Sequence, residues 1–177
     1  MTDKTRSIDF AHISLRDALD LAVLVEEEAK DRYEEFADQM EKHHNPEAAK
    51  FFRFMLEVEA KHESRLAERR KRLFGDEPRA VKREMIFDIE APEYDEVRAN
   101  MTLRQALQAS LRAETKAFEF FEAASGKVQM QNVRDIFTDL RDEEKGHQAL
   151  VEKELAKLPP EPEIPILVYD EDEIVAL

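Results

Sequence analysis

Two short stretches of this sequence decide the fold: Glu59-Ala-Lys-His62 and Glu144-Lys-Gly-His147. In each stretch the carboxylate and the imidazole stand three positions apart, so both lie on the same face of an α-helix. Apolar residues at helical spacing continue that face in both directions, namely Met55, Leu66, Leu140 and Val151. Both pairs of polar side chains are therefore predicted to point into the core of a helical protein.

Two further glutamates follow from an internal repeat. The stretch Ser14-Leu-Arg-Asp-Ala-Leu19 matches Thr102-Leu-Arg-Gln-Ala-Leu107, and Glu26 and Glu114 stand twelve residues after the first residue of each. A single Glu-x-x-His is a weak signal in so acidic a chain, and Glu41-Lys-His-His44 also matches it. That third match is rejected because it lies at the end of a helix, whereas the other two recur in register with an inward Glu.

The periodic segments predict four helices over about 15–43, 46–74, 103–125 and 132–158, with a crossover over 76–101. Short links join the first helix to the second and the third to the fourth. The predicted fold is therefore all-α: a four-helix bundle over 1–158, made of two antiparallel helical hairpins joined by a long crossover. The long crossover lets the second and third helices run parallel. Residues 159–177 form an acidic C-terminal tail.

Composition excludes several functions. The 177 residues include 27 Lys+Arg, 41 Asp+Glu and no cysteine, for a net charge of −14. Nucleic acid is not expected as a partner, because phosphate contacts need clustered basic residues. Disulfides and thiolate metal sites are excluded. The apolar runs are too short for a membrane span, and the polar N-terminus does not resemble a secretory signal. A cytoplasmic protein without a membrane partner is expected.

Four inward carboxylates need an explanation, because buried carboxylates repel one another unless they are paired or bind metal. Two divalent cations would balance the four charges, and two imidazoles would complete the coordination. Oxygen and imidazole ligands without thiolate suit iron or manganese, and zinc is a further possibility. The predicted metal ligands, which are also the predicted catalytic residues, are Glu26, Glu59, His62, Glu114, Glu144 and His147.

With these motifs, residues 14–158 resemble the ferritin-like superfamily and most closely the rubrerythrins. Glu26-Glu-Glu-Ala-Lys-Asp-Arg-Tyr33 resembles the first helix of that family. The resemblance implies two iron ions bridged by Glu59 and Glu144. Glu26 and His62 would complete one iron, and Glu114 and His147 the other. It also implies a homodimer and an oxidoreductase that reacts the Fe(II) pair with hydrogen peroxide or oxygen in oxidative-stress defence.

Two departures from the rubrerythrin pattern stand out. Familiar members carry a rubredoxin domain with four cysteines, so this cysteine-free chain is expected to use an external electron donor. Many also carry an extra Glu one turn beyond the ligand of the third helix, where this chain has Ala117. The remaining ligands are closer to a bacterioferritin-type ferroxidase centre. A rubrerythrin-like peroxidase is preferred, with a ferroxidase or iron-storage protein as the alternative and a purely structural bundle as a third reading.

Two further side chains, Tyr33 and Glu143, stand close to predicted ligands in the sequence. Tyr33, one of the residues that carry the resemblance, is expected to pack in the core with a hydrogen-bonded hydroxyl, in preference to acting as a radical or proton donor. Glu143 precedes the ligand Glu144 and is expected to point away from the site.

Overall fold

The computed structural model describes residues 8–86 and 89–160. The described chain contains no strand and forms four α-helices: α1 (Leu15–Lys42), α2 (Pro46–Phe74), α3 (Leu103–Lys127) and α4 (Gln131–Leu155). A short 3₁₀ helix, Arg83–Met85, lies in the crossover between α2 and α3. Residues 1–7, residues 87–88 of the predicted crossover and residues 161–177 of the predicted tail lie outside the described residues.

Side-chain caps explain where three of the helices begin. Ser14 accepts a hydrogen bond from the backbone N–H of Asp17 at the start of α1, and Asn45 accepts one from Ala48 at the start of α2. Thr102 begins α3 with a capping box. Each cap satisfies a backbone N–H that has no partner inside the helix.

The ends of α3 and α4 differ from the predicted bounds. Helix α3 continues through Gly126 to Lys127, because the N–H of Val128 still bonds to the carbonyl of Ala124. Helix α4 ends at Leu155 rather than at 158, because the N–H groups of Lys157 and Leu158 bond three residues back, to Glu154 and Leu155, instead of four. Such tightening of the last turn is common at helix ends.

Two apolar clusters show how the helices run. One cluster combines the N-terminal half of α1 and the C-terminal half of α2 with the C-terminal half of α3 and the N-terminal half of α4. The other cluster combines the opposite halves, with Phe36, Phe52, Leu107 and Val151 among its members. Helices α1 and α2 are therefore an antiparallel hairpin, as are α3 and α4, and α2 runs parallel to α3. None of the helices in the described residues is long and apolar enough to cross a membrane.

The crossover is attached to the bundle at its beginning by a buried ion pair. Arg70 of α2 bonds to Asp20 of α1 at 2.8 Å and also donates to the carbonyl of Gly75. Farther along, Ile86 and Ile89 are buried in the first apolar cluster. The crossover therefore packs along the bundle and covers the side of α1.

Candidate metal centre

Each helix places one glutamate between the two apolar clusters. The side chains of Glu26, Glu59, Glu114 and Glu144 are all 0 % exposed. They belong to α1, α2, α3 and α4 respectively, on the faces that the apolar periodicity predicted. The fold therefore gathers four acids at the centre of the protein, where a charge is costly unless it is compensated.

Two imidazoles from α2 and α4 meet beside these acids. Nδ1 of His147 lies 3.0 Å from a carboxylate oxygen of Glu114 and 3.4 Å from one of Glu144. The rings of His62 and His147 stack with their centroids 4.9 Å apart. The side chain of His62 is 18 % exposed, so it marks the edge of the cluster that is nearest to solvent.

Most of the buried oxygens have no hydrogen-bond partner. Both carboxylate oxygens of Glu26, of Glu59 and of Glu144 are without one. Burial raises the pKa of each of these three carboxyls well above its ordinary value, and the charge of a neighbouring carboxylate raises it further. A buried polar group left unsatisfied costs about 1–3 kcal/mol. Such atoms are rare in folded proteins and need an explanation such as a bound ion.

The imidazoles respond to the same surroundings in opposite directions. Burial lowers the pKa of His62 to about 4, and the nearby His147 adds to this effect. Burial would also lower the pKa of His147, but its hydrogen bond and charge interaction with Glu114 outweigh burial and raise it. At neutral pH, His62 is therefore a neutral imidazole, which is the form that binds metal.

Tyr33 contacts the cluster directly through its hydroxyl. The ring is 0 % exposed, and the O–H donates to an oxygen of Glu114 at 2.8 Å. Burial and the Glu114 carboxylate raise the pKa of Tyr33 well above its usual value. The phenol therefore remains protonated and orients Glu114, as expected for a core tyrosine with a hydrogen-bonded hydroxyl.

Glu90 of the crossover is a buried residue near the site that the sequence pattern does not predict. Its side chain is 1 % exposed, and neither carboxylate oxygen has a hydrogen-bond partner. Burial raises its pKa to about 8, and the charge of Glu114 contributes. Glu90 lies in a segment without helical periodicity. Its apolar neighbours Ile89 and Ala91 are the local sequence feature that is consistent with burial of this segment.

Glu143 does not point away from the cluster, which corrects the prediction. It pairs with Arg65 of α2, and its other oxygen lies 3.5 Å from Nδ1 of His62. The reason is that Glu143 lies at the boundary between the buried and the exposed face of α4. This boundary faces α2 at the partly exposed His62. Glu143 therefore occupies the outer edge of the site.

The donor atoms lie close enough to hold metal ions. Four overlapping groups of residues each bring one potential ligand atom per residue within 4.8 Å of the others in that group. The groups are Glu59, His62 and His147; Glu59, Glu90, Glu114 and His147; Glu26, His62 and Glu143; and Glu26, Glu90 and Glu144. The six predicted ligands are all present in this set. Oxygen and imidazole donors without sulfur fit iron or manganese, and the unsatisfied buried oxygens fit positive ions placed among them.

Comparisons with known proteins found a family and a similar structure. A family model described as Rubrerythrin matches residues 17–155, and a second match covers 105–170. The chain is also similar to a protein from Magnetospirillum magnetotacticum MS-1 whose crystal structure is described as that of an uncharacterized conserved protein. The two share 27% sequence identity with a TM-score of 0.65, over 85% of this chain and 99% of the other. No curated protein matched the sequence.

Proposed function

The chain belongs to the rubrerythrin family of ferritin-like di-iron proteins, and on that premise we propose that it reacts an Fe(II) pair with hydrogen peroxide. The observation that carries the proposal is the set of buried carboxylate oxygens on Glu26, Glu59 and Glu144 that have no hydrogen-bond partner. A purely structural bundle would gain nothing from these costly groups. Metal binding gives each oxygen a partner.

The grouping of the donor atoms supports a role for each proposed ligand. Donor atoms of Glu59 group with both imidazoles, and Glu144 lies near His147 and groups with Glu26. Glu26 also groups with His62, and Glu114 bonds to His147. When bound, the iron pair supplies the two electrons that, with two protons, reduce one hydrogen peroxide to two waters. The side chains hold the ions, neutralise their charge and exclude bulk water from the centre.

A small cavity lies near His62. A cavity of about 200 Å³ lies between α2 and α4 and is lined by Arg65, Leu66, Leu140 and Glu143, among others. Glu143 connects this cavity to His62. Hydrogen peroxide is small and neutral, so it can enter a cavity of this size without a matched charge. We propose that the oxidant enters here.

The electrons must be replaced after each turnover. The 177 residues contain no cysteine that could ligate a rubredoxin-type iron. We propose that an external donor supplies these electrons.

Single-turnover kinetics test the choice of oxidant. Protein loaded anaerobically with Fe(II) is mixed with hydrogen peroxide or with oxygen, and the appearance of Fe(III) absorbance is followed by stopped flow. We expect oxidation at least tenfold faster with peroxide than with oxygen at equal concentration. Faster oxidation by oxygen, together with uptake of further iron after the first turnover, would support the ferroxidase alternative instead.

Tyr33→Phe tests the hydrogen bond to Glu114. The variant removes one hydroxyl from a fully buried ring and leaves an oxygen of Glu114 without its donor. We expect the unfolding free energy of the metal-free protein to fall by about 1–3 kcal/mol. Metal affinity should fall about 10-fold or more, as it does when a group that orients a ligand is lost. Isothermal titration with Fe(II) checks the second effect, and unchanged affinity would mean that Tyr33 only packs.

A further inference from the structure

Glu90 reaches the centre of the bundle from outside the four helices. It lies in the crossover, yet one group of potential donor atoms places it with Glu59, Glu114 and His147. A second group places it with Glu26 and Glu144. The carboxylate therefore lies within reach of donors that the proposed function assigns to both metal ions.

Contacts on both sides of Glu90 hold it in this position. Its neighbours Ile89 and Ala91 are 4 % and 0 % exposed, so the backbone around Glu90 is packed against the bundle. Arg32 of α1 donates to the carbonyl of Pro92 at 3.0 Å. These contacts hold the backbone so that the side chain of Glu90 points into the bundle, although its carboxylate forms no hydrogen bond there.

Arg32 is itself held firmly. It forms a buried ion pair with Glu28 at 2.9 Å, and its guanidinium lies 4.1 Å from the centre of the Tyr94 ring. A paired guanidinium stacked on an aromatic ring is a rigid attachment point. The crossover is thus anchored on α1 directly after Glu90.

We propose that Glu90 is an additional carboxylate ligand of the metal pair and that metal binding through it secures the crossover to the bundle. The inference rests on the proposed di-iron function. An unpartnered carboxylate that is buried among metal ligands can be satisfied by the ions themselves. Neither of the two oxygens of Glu90 has a hydrogen-bond partner.

The charges of the site accommodate the additional carboxylate. With Glu90, five carboxylates leave one negative charge beside two divalent ions and one positive charge beside two trivalent ions. Without Glu90, the corresponding totals are zero and two positive charges. With the fifth carboxylate, the net charge of the site is equally far from zero in the reduced and in the oxidised state. The added negative charge also stabilises the oxidised pair more than the reduced pair, compared with a site that has only the helix ligands.

The test compares the full chain with Glu90→Gln and with the matched control Glu93→Gln. Glu93 stands three residues farther along the same crossover, and its side chain is 57% exposed. Each protein is titrated anaerobically with Fe(II), and hydrogen–deuterium exchange over residues 80–100 is measured with and without the metal. Circular dichroism establishes that each variant is folded.

We expect metal loading of the wild type and of Glu93→Gln to slow exchange in the crossover. Glu90→Gln should bind Fe(II) about 10-fold more weakly or worse and should lose most of that protection. Glu90→Asp keeps the charge on a shorter side chain and should lie between the two. Equal affinity and equal protection in Glu90→Gln would overturn the assignment of Glu90 while leaving the di-iron proposal intact. Failure of the wild type itself to bind Fe(II) would overturn both.

Discussion

Glu59→Gln is expected to abolish the two-metal site and to stabilise the metal-free protein. Glu59 is fully buried, both of its oxygens lack partners, and its donor atoms group with both histidines. A Gln amide has nearly the same shape but no charge, and it can donate hydrogen bonds to the neighbouring carboxylates. Removing one unsatisfied buried acid should raise the unfolding free energy of the metal-free form by about 1–3 kcal/mol.

The effect is measurable as a thermal shift in both forms of the protein. For a chain of this size, each kcal/mol moves the melting temperature by about 2–4 °C. Differential scanning calorimetry in chelator should show a higher melting temperature for Glu59→Gln than for the wild type. After addition of Fe(II) the order should reverse, because only the wild type gains stability from tightly bound metal.

Glu57→Gln supplies the control. Glu57 is an exposed residue of α2 that stands two positions before Glu59. Its replacement should change neither the melting temperature in chelator nor the gain on metal addition. If Glu59→Gln lowered stability in chelator and kept the full gain with Fe(II), then Glu59 would be a structural residue and the ligand assignment would be wrong.

The stability of the metal-free protein is expected to fall steeply as pH rises from about 6.5 to about 8. Burial raises the pKa of Glu90 to about 8 and the pKa of Glu26, Glu59 and Glu144 well above the ordinary value. In this range the folded protein retains carboxyl protons that the unfolded chain has already lost. Each such proton lowers the unfolding free energy by about 1.4 kcal/mol per pH unit.

The histidines determine where the measurement should begin. The pKa of His62 is lowered to about 4 by burial, so this imidazole is neutral when folded but protonated when unfolded below about pH 6.5. Below that pH, His62 makes stability rise with pH and opposes the carboxyls. Above it, His62 is neutral in both states. His147, whose pKa is raised, acts in the same direction as the carboxyls.

Urea unfolding in chelator at three pH values across this window measures the slope. We expect the unfolding free energy to decrease by at least about 1.4 kcal/mol per pH unit. The stabilisation that Fe(II) adds should increase over the same range, because metal binding displaces the retained protons. A stability that is constant or rises between pH 6.5 and 8 would show that these carboxyls are not protonated in the folded protein.

The parts of the site that lie on helices could be predicted, because residues three or four positions apart in the sequence lie on the same face of a helix. The all-α bundle followed from four periodic segments. The proximity of Glu26, Glu59, Glu114 and Glu144 followed from interruptions at matching places in the apolar stripes. Local spacing carries this information without knowledge of the rest of the chain.

The parts that depend on long-range contacts could not be predicted. Glu90 reaches the centre because Arg32 holds the backbone at Pro92 and because Ile89 is buried, and neither contact has a local sequence pattern. Glu143 approaches His62 because of the way α4 is rotated about its axis relative to α2. The sequence does not give this rotation. Periodicity places a residue on a face but does not resolve the boundary of that face.

The position of bound iron tests the central claim most directly. Crystals of the full chain, loaded anaerobically with Fe(II), are measured at the iron absorption edge, and an anomalous difference map is calculated. We expect about two peaks per chain among Glu26, Glu59, Glu114 and Glu144, one on the side of His62 and one on the side of His147. The absence of any peak at this position in fully loaded crystals, or iron bound only at surface carboxylates, would contradict it.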